Sequence, residues 1–265
     1  MGANKINVFS LSYFSRKNLL FTNMIIFPNA KINLGLNIIS RRDDGFHNIE
    51  TVLYPVKIKD ALEIVEADQF LFSSTGIPSG NPEENLCVKA WNLITQDYKV
   101  PAVHIHLHKQ IPVGAGLGGG SADAAFCLLL LNEKFELGLS VPQMQDYARK
   151  LGSDCAFFIE NQPVFASGKG DQFREIRLNF DKYFLVLAMP PVHVNTADAY
   201  KGIKPGLNNF SLIGLPDLPI DEWRLTVKNA FEDTIFQKYP QIKKLKESLY
   251  NSGAVYASMS GSGAS

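Results

Sequence analysis

The chain has 265 residues, 46% of them hydrophobic and 20% charged, with 26 basic side chains against 26 acidic ones. That length supports one large or two ordinary domains with a real core, and a net charge of zero excludes the broad basic surface that nucleic acid or an anionic membrane requires. No apolar run approaches the roughly 18 residues that span a bilayer. Cys87, Cys127 and Cys155 are odd in number and lack C-x-x-C spacing, so they read as small core residues in a reducing, cytoplasmic setting and not as a zinc site or disulfide framework.

Residues 1–23 stand apart. Nothing acidic occurs before Asp43, while Lys5, Arg16 and Lys17 are basic, a faint likeness to an organelle transit peptide, but no long apolar core or small-residue cleavage site marks a secretory signal. This segment is expected to be poorly ordered and dispensable. From Met24 the pattern is mixed. Residues 25–39 alternate around Pro28 and Gly35 like two short strands; 47–56 and 62–72 carry β-branched and aromatic residues, and 103–107 alternate strictly. Residues 85–98, 121–135 and 141–151 read as helices, the last with Pro142 in its first turn and Gly152 just past its end. Residues 164–166 and 171–178 read as a hairpin with a glycine-containing turn. Together, residues 24–180 are expected to form a first, catalytic domain.

A second unit, 181–265, begins with a strand at 183–189 that stops at Pro190 and Pro191. A long loop follows between Lys201 and Asp221, where three prolines and three glycines fall. Helices are expected at 221–236 and 241–250 and a final strand at 254–259. Strands with helices packed on one side predict an α+β class.

The most informative segment is residues 111–126, I-P-V-G-A-G-L-G-G-G-S-A-D-A-A-F, five glycines running into a strong helix former. Glycine lets backbone N–H groups turn inward and approach a ligand, and the free N–H groups and positive dipole end of the following helix, expected to open at Ser121, face the same loop. The pattern predicts an anion cradle for a polyphosphate. It is not a P-loop, since no lysine lies between Lys109 and Lys134. A dinucleotide fingerprint on Gly114, Gly116 and Gly119 would need an acidic residue about twenty positions on at a strand end, and Glu136 falls near there at the end of a helix instead.

P-V-G-A-G-L-G-G-G-S-A-D-A-A resembles the phosphate-binding motif of the GHMP kinases, named for galactokinase, homoserine kinase, mevalonate kinase and phosphomevalonate kinase. Residues 28–47, P-N-A-K-I-N-L-G-L-N-I-I-S-R-R-D-D-G-F-H, and L-G-S-D at 151–154 with M-S-G-S-G-A-S at 259–265 are similar to the 4-diphosphocytidyl-2-C-methyl-D-erythritol kinases of the non-mevalonate isoprenoid pathway. The likeness runs from about Met24 to Ser265. It implies a two-domain fold with an N-terminal half like ribosomal protein S5 domain 2 and a ferredoxin-like C-terminal half, incomplete at its end because the family pattern continues into another strand and helix. It implies an ATP-dependent kinase acting on the 2-hydroxyl of the cytidine-linked alcohol, with ATP as co-substrate accompanied by Mg2+, its ligands left open. Only small-molecule partners are implied, with no nucleic acid, membrane or obligate protein partner. The alternatives are another GHMP small-molecule kinase, or a nucleotide-binding module weakened by the missing end.

The resemblance also assigns residues. Pro112, Gly114, Gly116, Leu117, Gly118, Gly119, Gly120 and Ser121 fall in the ATP-binding motif. An Asp after L-G-S is by itself most often a turn carboxylate; the resemblance makes Asp154 the acceptor of the hydroxyl proton. Lys31, costly if turned inward from a strand without a partner, is implied to approach Asp154 and counter charge on the transferred group. Asn33, Phe46, His47, Thr196 and Tyr200 are implied substrate contacts, with Phe46 and Tyr200 stacking on the cytosine ring. His104, His106 and His108 alternate on one strand face without a carboxylate or cysteine neighbour, and read as structural.

Overall fold

A computed structural model describes residues 23–265 apart from 193, 196–198, 202, 204 and 207–209. Of the extension expected at 1–23, only Asn23 is described, and it opens β1 (Asn23–Ile26) opposite Val65; residues 1–22 and the substrate contact expected at Thr196 lie outside the described residues. The α+β class holds: two four-stranded sheets share the first part of the chain. One has the order β1 (Asn23–Ile26), β4 (Ala61–Glu66), β6 (Val103–Lys109), β5 (Leu71–Gly76); the other has β2 (Asn29–Arg41), β3 (His47–Lys59), β7 (Val164–Ser167), β8 (Gln172–Glu175). No helix among the described residues is long and apolar enough to cross a membrane.

Alternation explains the first sheet. Leu62 and Ile64 of β4 and Val103, Ile105 and Leu107 of β6 are fully buried, packed with Trp91 and Ile94 of α1 (Leu86–Asp97) and with Leu128 and Leu131 of α2 (Gly119–Lys134). Local chemistry sets the helix ends. Asn85 accepts from the Cys87 N–H at 2.9 Å to start α1, and the Gln143 carboxamide accepts from the Ser140 N–H at 2.9 Å to start α3 (Val141–Leu151). A short α4 (Phe157–Glu160) follows.

Several expectations need correction. The stretch 62–72 is two strands, because β5 runs parallel to β6 on the far side from β4. Gly35 does not end a strand: β2 continues past it through a bulge between Leu34 and Leu36, with Gly35 at φ +73°. That bulge frees the backbone of Leu36 to bond Lys228 O at 2.9 Å and Ala230 N–H at 2.8 Å. The helix expected over 221–236 is broken for the same reason. A 3-10 turn at Ile220–Glu222 leads into α5 (Trp223–Thr226), the chain extends at Val227 to meet β2, and α6 (Glu232–Lys238) starts anew before α7 (Pro240–Asn251). Residues 183–189 form no strand; Phe184 is fully exposed, and no strand among the described residues lies beside them to complete a ladder. Residues 254–259 are likewise irregular, although Ala257 and Met259 are buried. The second half packs against β2 and β3, where Leu212, Leu215, Trp223 and Val227 share a core with Ile32, Leu34 and Val52.

Candidate active site at the glycine loop

The loop is suspended between β6 and α2. Its entry is held by Asp60, whose Oδ1 accepts from the N–H groups of Gln110 and Ile111 at 2.5 and 2.8 Å. Its middle is joined to β2, since the Lys31 N–H donates to Leu117 O at 2.9 Å. Helix α2 starts two residues before the expected Ser121, with Gly118 as N-cap at φ +70° and no side-chain cap. A Cβ at Gly118 would press on Lys31 Cγ and Cε at 3.0 Å, and one at Gly116 would collide with the carbonyl of Ser260. Glycine is required there by close approach as well as by backbone angle. The uncapped N–H groups at the start of α2 face the loop, which is the electrostatic half of an anion site.

Lys31 is buried, 3% exposed, yet its ammonium is fully partnered. Nζ donates to Asn33 Oδ1 at 2.6 Å and to Gly116 O at 3.1 Å, and lies 3.3 Å from Asp154 Oδ2. Burial strengthens each of these contacts, and three acceptors around one cation are what makes the burial tolerable. Asp154 sits in the turn after α3 with its carboxylate 37% exposed, so one side meets Lys31 and the other meets solvent. The reciprocal amide pair Asn29 and Asn161, at 2.6 and 3.2 Å, ties the end of α4 to β2 two residues before Lys31.

Asn33 occupies a different setting from an open substrate contact. It is buried; its Nδ2 donates to Thr51 Oγ1 at 2.9 Å, Thr51 donates on to Gly35 O at 2.7 Å, and this chain orients Oδ1 toward the Lys31 ammonium. The C-terminal small-residue loop closes over the same place. Ser260 Oγ donates to Gly116 O at 2.9 Å and accepts from the Asn33 N–H at 3.2 Å, while Asn229 Nδ2 donates to the carbonyls of Met259 and Gly261 at 3.0 and 2.8 Å.

At the far end of β2 and β3, the arrangement departs from two aromatic walls around an empty slot. The His47 ring stacks on Tyr200 at 5.0 Å and 26°, and Tyr200 meets Phe231 edge-on at 4.8 Å. Phe46 is exposed, with the Lys169 ammonium 5.2 Å from its ring centre. His47 therefore takes the face of Tyr200 that Phe46 was expected to oppose. Burial, with a smaller contribution from the Asp154 charge, raises the Tyr200 phenol, which places this ring within electrostatic reach of the carboxylate.

The three histidines of β6 are tied to β5 by hydroxyls. Ser73 Oγ is 2.7 Å from His104 Nε2 and 2.8 Å from His106 Nδ1, and Thr75 Oγ1 is 2.9 Å from His108 Nδ1. Among the described residues no group of three His, Cys, Asp or Glu side chains is placed to hold a metal. All three cysteines are free and buried, and burial pushes the Cys155 thiol up to about 12, which removes it as a nucleophile. Sequence reasoning missed a buried cluster behind the loop, Asp60, Lys109 and Asp123. One signal was present: in the alternation 103–109, Lys109 falls on the inward side with Val103, Ile105 and Leu107.

Comparison with known proteins gives a consistent result. The family model of the GHMP kinases N terminal domain matches residues 85–169. A protein of Bacteroides fragilis named 4-diphosphocytidyl-2-C-methyl-D-erythritol kinase is 51% identical over 247 residues, covering 91% of this chain and 90% of its own length. One of the same name from Parabacteroides distasonis is 49% identical over 243 residues, with the same two coverages. A crystal structure of 4-(cytidine 5'-diphospho)-2C-methyl-D-erythritol kinase superposes with a TM-score of 0.76 at 29% identity, covering 91% of this chain and 87% of that one.

Proposed function

This chain belongs to the family of the 4-diphosphocytidyl-2-C-methyl-D-erythritol kinases, and from that premise we propose that it transfers the γ-phosphoryl group of ATP to the 2-hydroxyl of 4-diphosphocytidyl-2-C-methyl-D-erythritol. The observation that carries the reading is the 3.3 Å contact of Lys31 with Asp154 beside the glycine loop. The loop 112–121 receives the phosphates on its N–H groups, and the alcohol lies against the open side of Asp154. As the bond from the γ-phosphorus to the bridging oxygen lengthens, the hydroxyl oxygen bonds to phosphorus. Its proton passes to the Asp154 carboxylate, and ADP leaves. Phosphoryl transfer has a loose transition state, so position and charge neutralisation matter more than the strength of the base. Lys31 serves both: it orients Asp154 and sets a fixed positive charge next to the transferred group.

Asn33 is assigned as the residue that positions Lys31. His47 and Tyr200 hold the cytosine end, with Phe46 at its margin; this requires the His47 ring to slide along or off the Tyr200 face. Mg2+ bound together with ATP would offset charge on its phosphates, an ion that needs few protein oxygens. Residues 24–180 carry the nucleotide and the base, 181–265 close over them, and the enzyme acts in the cytoplasm.

The test is ADP release by the purified chain with ATP and, in turn, the cytidine-linked alcohol, mevalonate and homoserine. Turnover with the first alone, inhibited by CMP in competition with the alcohol and not with ATP, is the expected result. Equal turnover of mevalonate or homoserine would replace this substrate with another of the superfamily. ATP binding without turnover of any alcohol would remove the catalytic reading. Asp154→Asn should keep ATP affinity and lower kcat by about 100-fold or more.

A further inference from the structure

Behind the glycine loop lies a charge cluster that the phosphoryl transfer does not use directly. Lys109, the last residue of β6, is 2% exposed and donates to Asp60 Oδ2 at 2.5 Å and to Asp123 Oδ2 at 2.8 Å. The two carboxylates are equally buried. Asp60 lies in the link between β3 and β4 and spends its other oxygen on the N–H groups of Gln110 and Ile111. Asp123 is in the second turn of α2, and its Oδ1 is buried with no hydrogen-bond partner. A Cβ on Gly119 would come within 3.0 Å of the Lys109 ammonium, so the start of α2 lies directly on the cluster.

We propose that Asp60, Lys109 and Asp123 are positioning residues for ATP: they clamp the two ends of the glycine loop at a fixed separation, so that its N–H groups converge on the polyphosphate. The clamp runs from the loop entry at residues 110–111, through the Asp60 carboxylate and the Lys109 ammonium, to the Asp123 carboxylate on α2. Seven residues with three glycines at positive φ span the gap, and such a loop has no stiffness of its own. A cluster of one ammonium and two carboxylates is also an expensive way to fill a core, since apolar residues of equal volume usually stabilise at least as well. Burial pushes the Asp123 carboxyl up to about 7, against the pull of Lys109 and with a push from Asp60. Specific geometry is the return for that cost. This inference rests on the loop being the ATP site.

The experiment uses the full chain carrying Lys109→Met together with Asp123→Asn. Above pH about 7, where the Asp123 carboxyl is ionised, one positive and one negative charge leave together, so the cluster keeps the same net charge, and Asp60 keeps its two backbone donors. ATP and CMP affinities are measured by calorimetry, with circular dichroism to check folding. The expected result is a loss of about tenfold or more in ATP affinity with CMP affinity within about twofold of wild type. Unchanged ATP affinity, or an equal loss for both ligands, would overturn the clamp; the second pattern is what a merely structural role produces. Asp123→Asn alone covers a double variant that does not fold: ATP affinity falling threefold or more with CMP unaffected supports the clamp, and unchanged ATP affinity sinks it. Wild-type protein that binds CMP but not ATP would instead overturn the kinase reading, and the clamp with it.

Discussion

Replacing Lys31 with Met removes one buried ammonium and keeps most of its aliphatic volume. At 3.3 Å from Asp154 Oδ2, the direct attraction is on the order of 5 kcal/mol at an effective dielectric near 20. The half-exposed carboxylate and its water screen that to a fraction in the resting enzyme. On the proposed mechanism the larger loss comes in the transition state, where charge develops on the transferred group beside the Lys31 ammonium. Removing one preorganised donor of this kind lowers kcat by about 100- to 1000-fold, or roughly 3 to 4 kcal/mol. Stability should fall less. Gly116 O keeps its bond from Ser260 Oγ, leaving Asn33 Oδ1 as the main acceptor to lose its partner, a cost of about 1 to 3 kcal/mol. The assay is ADP release under saturating ATP and alcohol, paired with calorimetric titration of each ligand. A kcat within about fivefold of wild type, or a loss confined to KM, would refute the assignment of Lys31 to the transition state.

Gly118→Val should abolish ATP binding and also lower the melting temperature, because the new Cβ meets Lys31 and Phe158 at about 3.0 to 3.1 Å and sits at φ +70°; unaltered ATP affinity in a titration would reduce the loop to a turn. Tyr200→Ala should raise the KM for the alcohol by the equivalent of about 1 to 3 kcal/mol with kcat nearly unchanged, if its ring carries the cytosine; a fall in kcat at unchanged KM would count against that. Asp123 binds its proton more tightly folded than unfolded, near 7 against 3.8. Its contribution to stability is therefore fully present below pH about 4 and lost as pH rises through about 7. The melting temperature should decline between pH about 5 and 8 and Asp123→Asn should flatten that decline, whereas an identical slope in both proteins would show that Asp123 does not titrate there.

What the sequence determined by itself is what depends on neighbours a few residues apart. The helix starts at Asn85 and Ser140 and the stop at Gly152 follow from caps within one turn. The strand faces of β4 and β6 follow from period-two alternation, and the glycine loop of 111–126 running into a helix follows from its composition. Tertiary structure alone decided which backbones pair and which charges are buried together. The segment 221–236 has helical composition throughout, but the Leu36 carbonyl and N–H, freed by the Gly35 bulge, draw residues 228–230 into extended contact and split it. Residues 183–189 read as a strand, and a strand exists only beside a partner. Asn33 carries the residue type of a substrate contact, yet the direction of its amide is set by Thr51, eighteen positions away, and by Lys31. Lys109, Asp60 and Asp123 are separated by 49 and 14 positions. Only closure of the first sheet over α2 brings them within hydrogen-bond reach, because the cost of burying one of these charges is offset by the others and not by anything local.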